Sequence, residues 1–385
     1  MKTLCLLIIA LLLTGCAASP DAETSGPAEI PTTHPALETT AATQPATVVT
    51  EPADPIREII DWMSLEERVG QLFLARCNNT TAVNDAAEYH LGGYVLFGVD
   101  FENQTPDSIR ETLSAYQDAA KIPLLIAVDE EGGTVNRVSR YSAFRSSPFP
   151  SPRNSFDQGG LEQALINEEE KCQLLTSLGI NVNIGPVCDI TTDPSAFMYQ
   201  RSLGQDAQTT AGFISGTVNL MNAYSIGSVL KHFPGYGNNA DTHTGIAVDS
   251  RSLEALESND LIPFAAGIDA GCGAILVSHT IVEALDAEMP ATLSPAVHQY
   301  LREEMGFDGV IVTDDLVMQA ITDQFGAGEA AVLAVLAGND LLCATDYVTQ
   351  YNAVLDAVLT GRIDIDTLNA AVTNVLEWKM ELGLI

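Results

Sequence analysis

Two stretches of the sequence gather groups able to do acid–base and nucleophilic chemistry. The first reads Lys231-His232-Phe233-Pro234-Gly235-Tyr236-Gly237 and, after three intervening residues, Asp241-Thr242-His243. Histidine titrates near neutral pH and can perform either half of a proton transfer. A carboxylate two residues away, Asp241, would fix its tautomer and stabilise the imidazolium. The second stretch is Gly309-Val-Ile-Val-Thr313 followed by Asp314 and Asp315. A carboxylate held at the end of an apolar strand suits attack on an electrophilic carbon. A nucleophile of this kind paired with an acid/base is what retaining cleavage of a glycosidic bond needs. Asp315 reads as a helix cap or a supporting carboxylate. Gly235 and Gly237 are expected to let the intervening loop move, so that His243 swings in with substrate.

These residues need a scaffold that brings distant positions together. Short apolar runs recur at Leu72–Cys77, Tyr94–Phe97, Leu124–Val128, Ile180–Ile184, Ser228–Leu230, Ala274–Val277, Gly309–Val312 and Leu341–Cys343. Helix-period stretches separate several of them, among them Ser108–Ala120, Leu161–Leu178, Thr209–Tyr224 and Leu253–Ala270. Continuous apolar strands between helices indicate a parallel sheet buried on both faces, and eight units suit a closed barrel. The predicted class is α/β, a single (β/α)8 TIM-type barrel. Several runs end in a polar residue: Asp129, Asp189, Lys231-His232, His279 and Asp314. In a barrel these strand ends converge on the face that carries the active site.

The Lys231–His243 stretch closely resembles the signature of the β-N-acetylhexosaminidase branch of glycoside hydrolase family 3. Asp129-Glu130-Glu131-Gly132-Gly133-Thr134-Val135-Asn136-Arg137, Pro290-Ala291-Thr292-Leu293-Ser294 and Gly309–Leu316 also match that family's motifs, in order. The resemblance implies that Asp314 is the nucleophile and His243 the acid/base, oriented by Asp241. It also implies substrate contacts from Asp129, Lys231 and His232, with Arg137 contacting substrate or holding Asp129, and His279 on the opposite wall. Gln200-Arg201-Ser202-Leu203-Gly204 is similar to the family's Arg-Ser-Phe-Gly segment, with leucine in place of the aromatic, and would bring Arg201 to the sugar. Asp189 reads equally as a structural carboxylate or a substrate contact. The activity implied is release of terminal β-linked N-acetylglucosamine, with peptidoglycan fragments as substrate and no cofactor or metal.

Other readings stay open on sequence alone. A β-glucosidase or an N-acetylglucosamine phosphorylase of the same family would share the scaffold, and a histidine acid/base does not repel a phosphate acceptor. His232, Asp241, His243, His279 and Asp314 are also metal-ligand types, although the Lys231 ammonium would compete with a bound ion. A non-catalytic sugar-binding lipoprotein would need no nucleophile. With Asp366–Met380 as a closing helix soon after the eighth run, a complete site is expected from the barrel itself.

The two ends and the charge bound the rest. Lys2, the apolar run Leu4–Leu13 and then Thr14-Gly15-Cys16 read as residues 1–16 of a secretory signal, with Cys16 in a lipobox-like position for lipidation. Residues 17–53, rich in Ala, Thr and Pro, read as a disordered tether. Folding signals begin at Asp54-Pro55, which makes 54–385 the expected catalytic domain. The expected location is extracytoplasmic, a monomer touching the membrane only through its lipid. Lys and Arg number 17 against 51 Asp and Glu, a net charge of −34 that disfavours nucleic acid as a partner. Cys77, Cys172, Cys188, Cys272 and Cys343 have no zinc-ligand spacing and read as buried free thiols.

Overall fold

A computed structural model describes residues 54–237, 245 and 247–385. The Cys16 signal, the 17–53 segment and the Asp241–His243 pair lie outside the described residues. The described chain starts as the sequence suggests. The Asp54 side chain accepts from the Ile56 and Arg57 amides at the head of helix Pro55–Trp62. Ser64 and Glu67 then form a reciprocal capping box on helix Leu65–Gln71.

Eight parallel strands follow: β1 Phe73–Arg76, β2 Gly93–Leu96, β3 Leu125–Val128, β4 Val182–Asn183, β5 Gly227–Phe233, β6 Ala274–Val277, β7 Val310–Thr313 and β8 Leu342–Ala344. Their spatial order is β7-β6-β5-β4-β3-β2-β1-β8, and a parallel bridge between Val312 and Leu341 brings the two ends together. The architecture is a single (β/α)8 barrel, with helices around the sheet.

Side chains alternate between the two faces of each strand. Leu74, Val95, Leu125, Ala127, Val182, Ile184, Val229, Ala274, Leu276, Val310, Val312 and Leu341 pack together as the barrel interior. Their neighbours, such as Phe73, Tyr94, Ile126 and Val128, pack in a separate cluster with the surrounding helices. The C-terminal helix Ile365–Glu381 contributes Val375 and Trp378 to the inner cluster. Trp378 lies so close to Gly227 and Gly273 that a Cβ on either would collide with its ring, which sets it against the starts of β5 and β6. The interior is therefore packed at the N-terminal end of the strands and opens at the other.

Candidate active site

The opening follows from the same alternation. One step beyond the apolar interior, the inward positions are Phe97 after β2, Asp129 after β3, Lys231 on β5, Asp314 after β7 and Cys343 on β8. All five line one cavity of about 930 Å³ at the C-terminal face, with Val95, Ile184 and Leu276 beneath them. His232 joins Lys231 there although the two are consecutive. The β5–β6 register shifts between Leu230 and Phe233, an irregularity that re-aims side chains locally.

The cavity is lined by a chain of charges that hold one another. Lys231 Nζ lies 2.6 Å from both Asp129 Oδ1 and Glu131 Oε1. Arg201 grips Glu131 with two parallel bonds, Nε to Oε2 at 2.9 Å and Nη2 to Oε1 at 2.7 Å. Burial alone would raise the Glu131 carboxyl, but the Arg201 and Lys231 cations outweigh it and hold the group below the usual carboxylate range. Arg137 stands 3.8 Å from the other oxygen of Asp129. Asp129 is thus held between a buried ammonium and a partly exposed guanidinium, with an edge facing the cavity.

His232 is fixed from both sides. Its Nδ1 lies 2.8 Å from Asp189 Oδ2 and its Nε2 3.2 Å from Arg201 Nη2. Arginine can only donate, so Nε2 accepts and the ring proton sits on Nδ1, facing Asp189. The ring N–H therefore faces Asp189 and not the cavity in this arrangement. Asp189 also accepts from the Tyr236 and His232 amides at 2.7 and 3.2 Å. It is almost wholly buried and organises the start of the Lys231–Gly237 segment, which favours its structural reading.

A hairpin, Glu130–Gly132 with Val135–Asn136, carries Arg137 over the cavity. Its anchor is the buried Glu130 carboxylate, which accepts from the amides of Arg137, Val138 and Ser139 and from the Ser139 hydroxyl. The Arg137 guanidinium lies over the Phe97 ring, 5.2 Å from its centre.

Asp314 faces the cavity from the end of β7, with its Oδ1 accepting from the Asp315 amide at 2.8 Å. Asp315 bonds away from Asp314. It accepts from the Val317 and Thr345 amides and from the Thr345 hydroxyl, tying the β7 turn to the end of β8. Burial pushes the Asp315 carboxyl up, against the pull of these bonds. His279 is fully buried and is not among the lining residues; its Nε2 donates to the Asp315 carbonyl at 3.0 Å. It supports the backbone just past Asp314, whereas the sequence reading has it on a substrate wall. Cys343, one of the expected buried thiols, is mostly buried and lines the cavity.

The structure thus brings together Asp129, Arg137, Arg201, Lys231, His232 and Asp314, and sets His279 behind them. Glu131 is the functional residue the sequence reading passes over, although it sits inside the Asp129–Arg137 motif. Its signal was a second acidic residue at the inward period of two from Asp129. Phe197, Gln200 and Tyr236 also line the cavity and had no signal of periodicity, because the first two come from a single 3-10 turn, Phe197–Gln200, and the third from the loop after β5.

Comparison with known proteins finds likeness over most of the chain. The sequence profile described as the glycosyl hydrolase family 3 N terminal domain matches residues 64–378. A beta-hexosaminidase of Xanthomonas campestris pv. campestris is 35% identical over 298 residues, covering 76% of this chain and 87% of that protein. Beta-hexosaminidase LpqI of Mycobacterium tuberculosis is 30% identical over 367 residues, 89% of this chain and 90% of the relative. Among solved structures, a glycoside hydrolase family 3 β-N-acetylglucosaminidase from Paenibacillus sp. str. FPU-7 superposes with a TM-score of 0.79 at 31% identity. That match covers 84% of this chain, which spans 63% of the Paenibacillus chain. With a charge-lined cavity at the open face of a closed barrel and a profile match over most of its length, the chain belongs to glycosyl hydrolase family 3 and is a glycoside hydrolase.

Proposed function

We propose that the protein is a retaining exo-β-N-acetylglucosaminidase with Asp314 as nucleophile and His243, oriented by Asp241, as acid/base. The observation that carries this reading is the Asp314 carboxylate opening into a cavity that also holds Asp129, Lys231 and Arg137. The beta-hexosaminidase and β-N-acetylglucosaminidase relatives support the choice of sugar. Asp129 and Lys231 accept from and donate to hydroxyls of the terminal sugar, which fixes its anomeric carbon over Asp314. In the first step His243 protonates the leaving oxygen while an Asp314 oxygen attacks the anomeric carbon. The glycosidic C–O bond breaks and a glycosyl-aspartate forms. In the second, neutral His243 takes a proton from water, whose oxygen attacks the same carbon and releases Asp314. The configuration is inverted twice and so retained.

The proposed natural substrate is a peptidoglycan fragment, and the proposed location is extracytoplasmic, through a lipid on Cys16. Release of a chromophore from a β-N-acetylglucosaminide and a β-glucoside tests the first claim. Activity on the N-acetylated sugar alone is expected, abolished in Asp314→Asn and strongly reduced in His243→Ala. Full activity in Asp314→Asn would sink the mechanism, and equal turnover of both sugars the specificity. For the anchor, Cys16→Ala is expected to move the protein from the membrane fraction to the soluble one; an unchanged distribution would remove the lipid from the account.

A further inference from the structure

The sequence suggests mobility as the reason for Gly235 and Gly237, but the structure gives each a packing reason. Gly235 has φ +117°, and a Cβ there would stand 2.8 Å from Asp260 Oδ1. Gly237 has φ +53°, and its Cβ would stand 2.7 Å from the Arg251 Cζ. Both glycines therefore lie flat against one ion triad. Arg251 Nη1 donates to Asp260 Oδ2 at 2.7 Å, while Nε and Nη2 donate to Asp249 at 2.9 and 2.6 Å. Its Nη2 also donates to the Gly235 carbonyl at 3.2 Å.

Gly235 and Asp249 stand on the two limbs that bracket residues 238–244, the segment bearing Asp241 and His243. The outgoing limb is held by the Tyr236 amide on Asp189. The returning limb, Val248–Asp249, pairs in parallel with Ile281–Val282 just beyond β6. Arg251 bonds both limbs at once. Asp249 and Asp260 are each 1% exposed, so the triad carries a heavy desolvation cost that an apolar contact of the same size would avoid. What a guanidinium fork offers in return is direction: three donors aimed at three separate backbone or carboxylate positions.

We propose that Arg251 is a positioning residue for proton transfer: by tying Gly235 to Asp249 over the buried Asp260, it fixes the two flanks between which the acid/base His243 and its partner Asp241 lie in sequence. The inference rests on the reading of His243 as acid/base. A group that acts through proton donation matters in proportion to how much proton the leaving group needs. A 2,4-dinitrophenolate departs unaided, whereas a phenolate needs protonation.

The experiment measures kcat/KM for 2,4-dinitrophenyl and phenyl β-N-acetylglucosaminides in wild type, Arg251→Met, His243→Ala and the double variant, with thermal midpoints alongside. Arg251→Met is expected to lose about 10²-fold on the phenyl substrate and little on the dinitrophenyl one. Azide is expected to raise kcat on the dinitrophenyl substrate, giving the β-glycosyl azide as it displaces Asp314. In the His243→Ala background, Arg251→Met should add no further leaving-group selectivity. Gly237→Ala, which leaves all three charges in place and crowds the guanidinium, should give the same pattern more weakly and carries the test if Arg251→Met does not fold. Equal losses on both substrates, or the same selective loss with His243 already absent, would overturn the proposal. Absence of selectivity in His243→Ala itself would instead overturn the acid/base reading, and is read from that variant alone.

Discussion

At the scale of single residues, the site is a set of charges that are each useful because another one holds them. Glu131 shows this most directly. It bonds Arg201 by two bonds and Lys231 by one, and both cations in turn reach groups at the cavity, Arg201 to His232 and Lys231 to Asp129. Removing one member of a buried pair leaves the partner charged in a dry place, which costs about 3–5 kcal/mol. Glu131→Gln keeps the volume and removes the charge. It is expected to lower the urea midpoint by an amount worth about 3 kcal/mol. It should also lower kcat/KM by about 10²-fold, because displacing Lys231 displaces Asp129, the proposed partner of the sugar hydroxyls. The pH dependence has a definite sign. The folded-state carboxyl is held below its unfolded value of about 4.3, so the contribution is complete above that pH and lost as pH falls below it. The stability gap between wild type and Glu131→Gln should therefore close in acid. A gap that persists unchanged at pH 3 would mean that the ion pairs are not its source.

At the scale of elements, the strands were legible because two constraints coincide on them. A parallel strand buried on both faces reads as an unbroken apolar run, and its inward period of two extends past the run to the first polar residue. Asp129, Lys231 and Asp314 all fall on that extension. His279 does not: counting inward from Ala274 and Leu276 gives Ser278 and leaves His279 on the other face, where it bonds the Asp315 carbonyl. The same count applied at the sequence level would have set His279 behind the site. Other features had no such rule behind them. The Glu130 carboxylate closes its hairpin through three backbone amides and a hydroxyl, a pattern that depends on chain reversal at Gly132-Gly133 rather than on periodicity. The purpose of Gly235 and Gly237 depends on Asp260 and Arg251, residues from another element, so sequence spacing could suggest only conformational freedom. Local pattern thus reported which residues face inward, and long-range packing decided which of them hold one another.

At the scale of the whole molecule, the packed end of the barrel contains a group whose charge opposes folding. Lys379, on the helix that also supplies Trp378, is fully buried, and its Nζ donates to the neutral Gln71 Oε1 at 2.7 Å. Burial lowers its pKa to about 7, against about 10.4 for an exposed lysine. Between these values the unfolded chain binds a proton that the folded one does not. Stability therefore rises with pH across that window, by about 1.4 kcal/mol per unit, and the penalty is complete below about pH 7. Buried thiols act with the opposite sign. Cys172 and Cys272 are pushed up to about 12 by burial, so their contribution is present below an unfolded value of about 8.5 and lost above it. The two effects pull in opposite directions, the lysine raising stability above about pH 7 and the thiols opposing the rise as pH nears about 8.5. Lys379→Met separates them, since it removes the lysine and leaves the thiols. The variant strands Gln71 Oε1 without its donor, a cost of about 1–3 kcal/mol that does not depend on pH. The slope, not the height, is therefore the readout. Denaturant unfolding from about pH 6.5 to 8.5 should show a slope of stability against pH that is more positive in wild type than in Lys379→Met. Equal slopes would mean that Lys379 keeps its proton when folded, and that water reaches the closed end of the barrel.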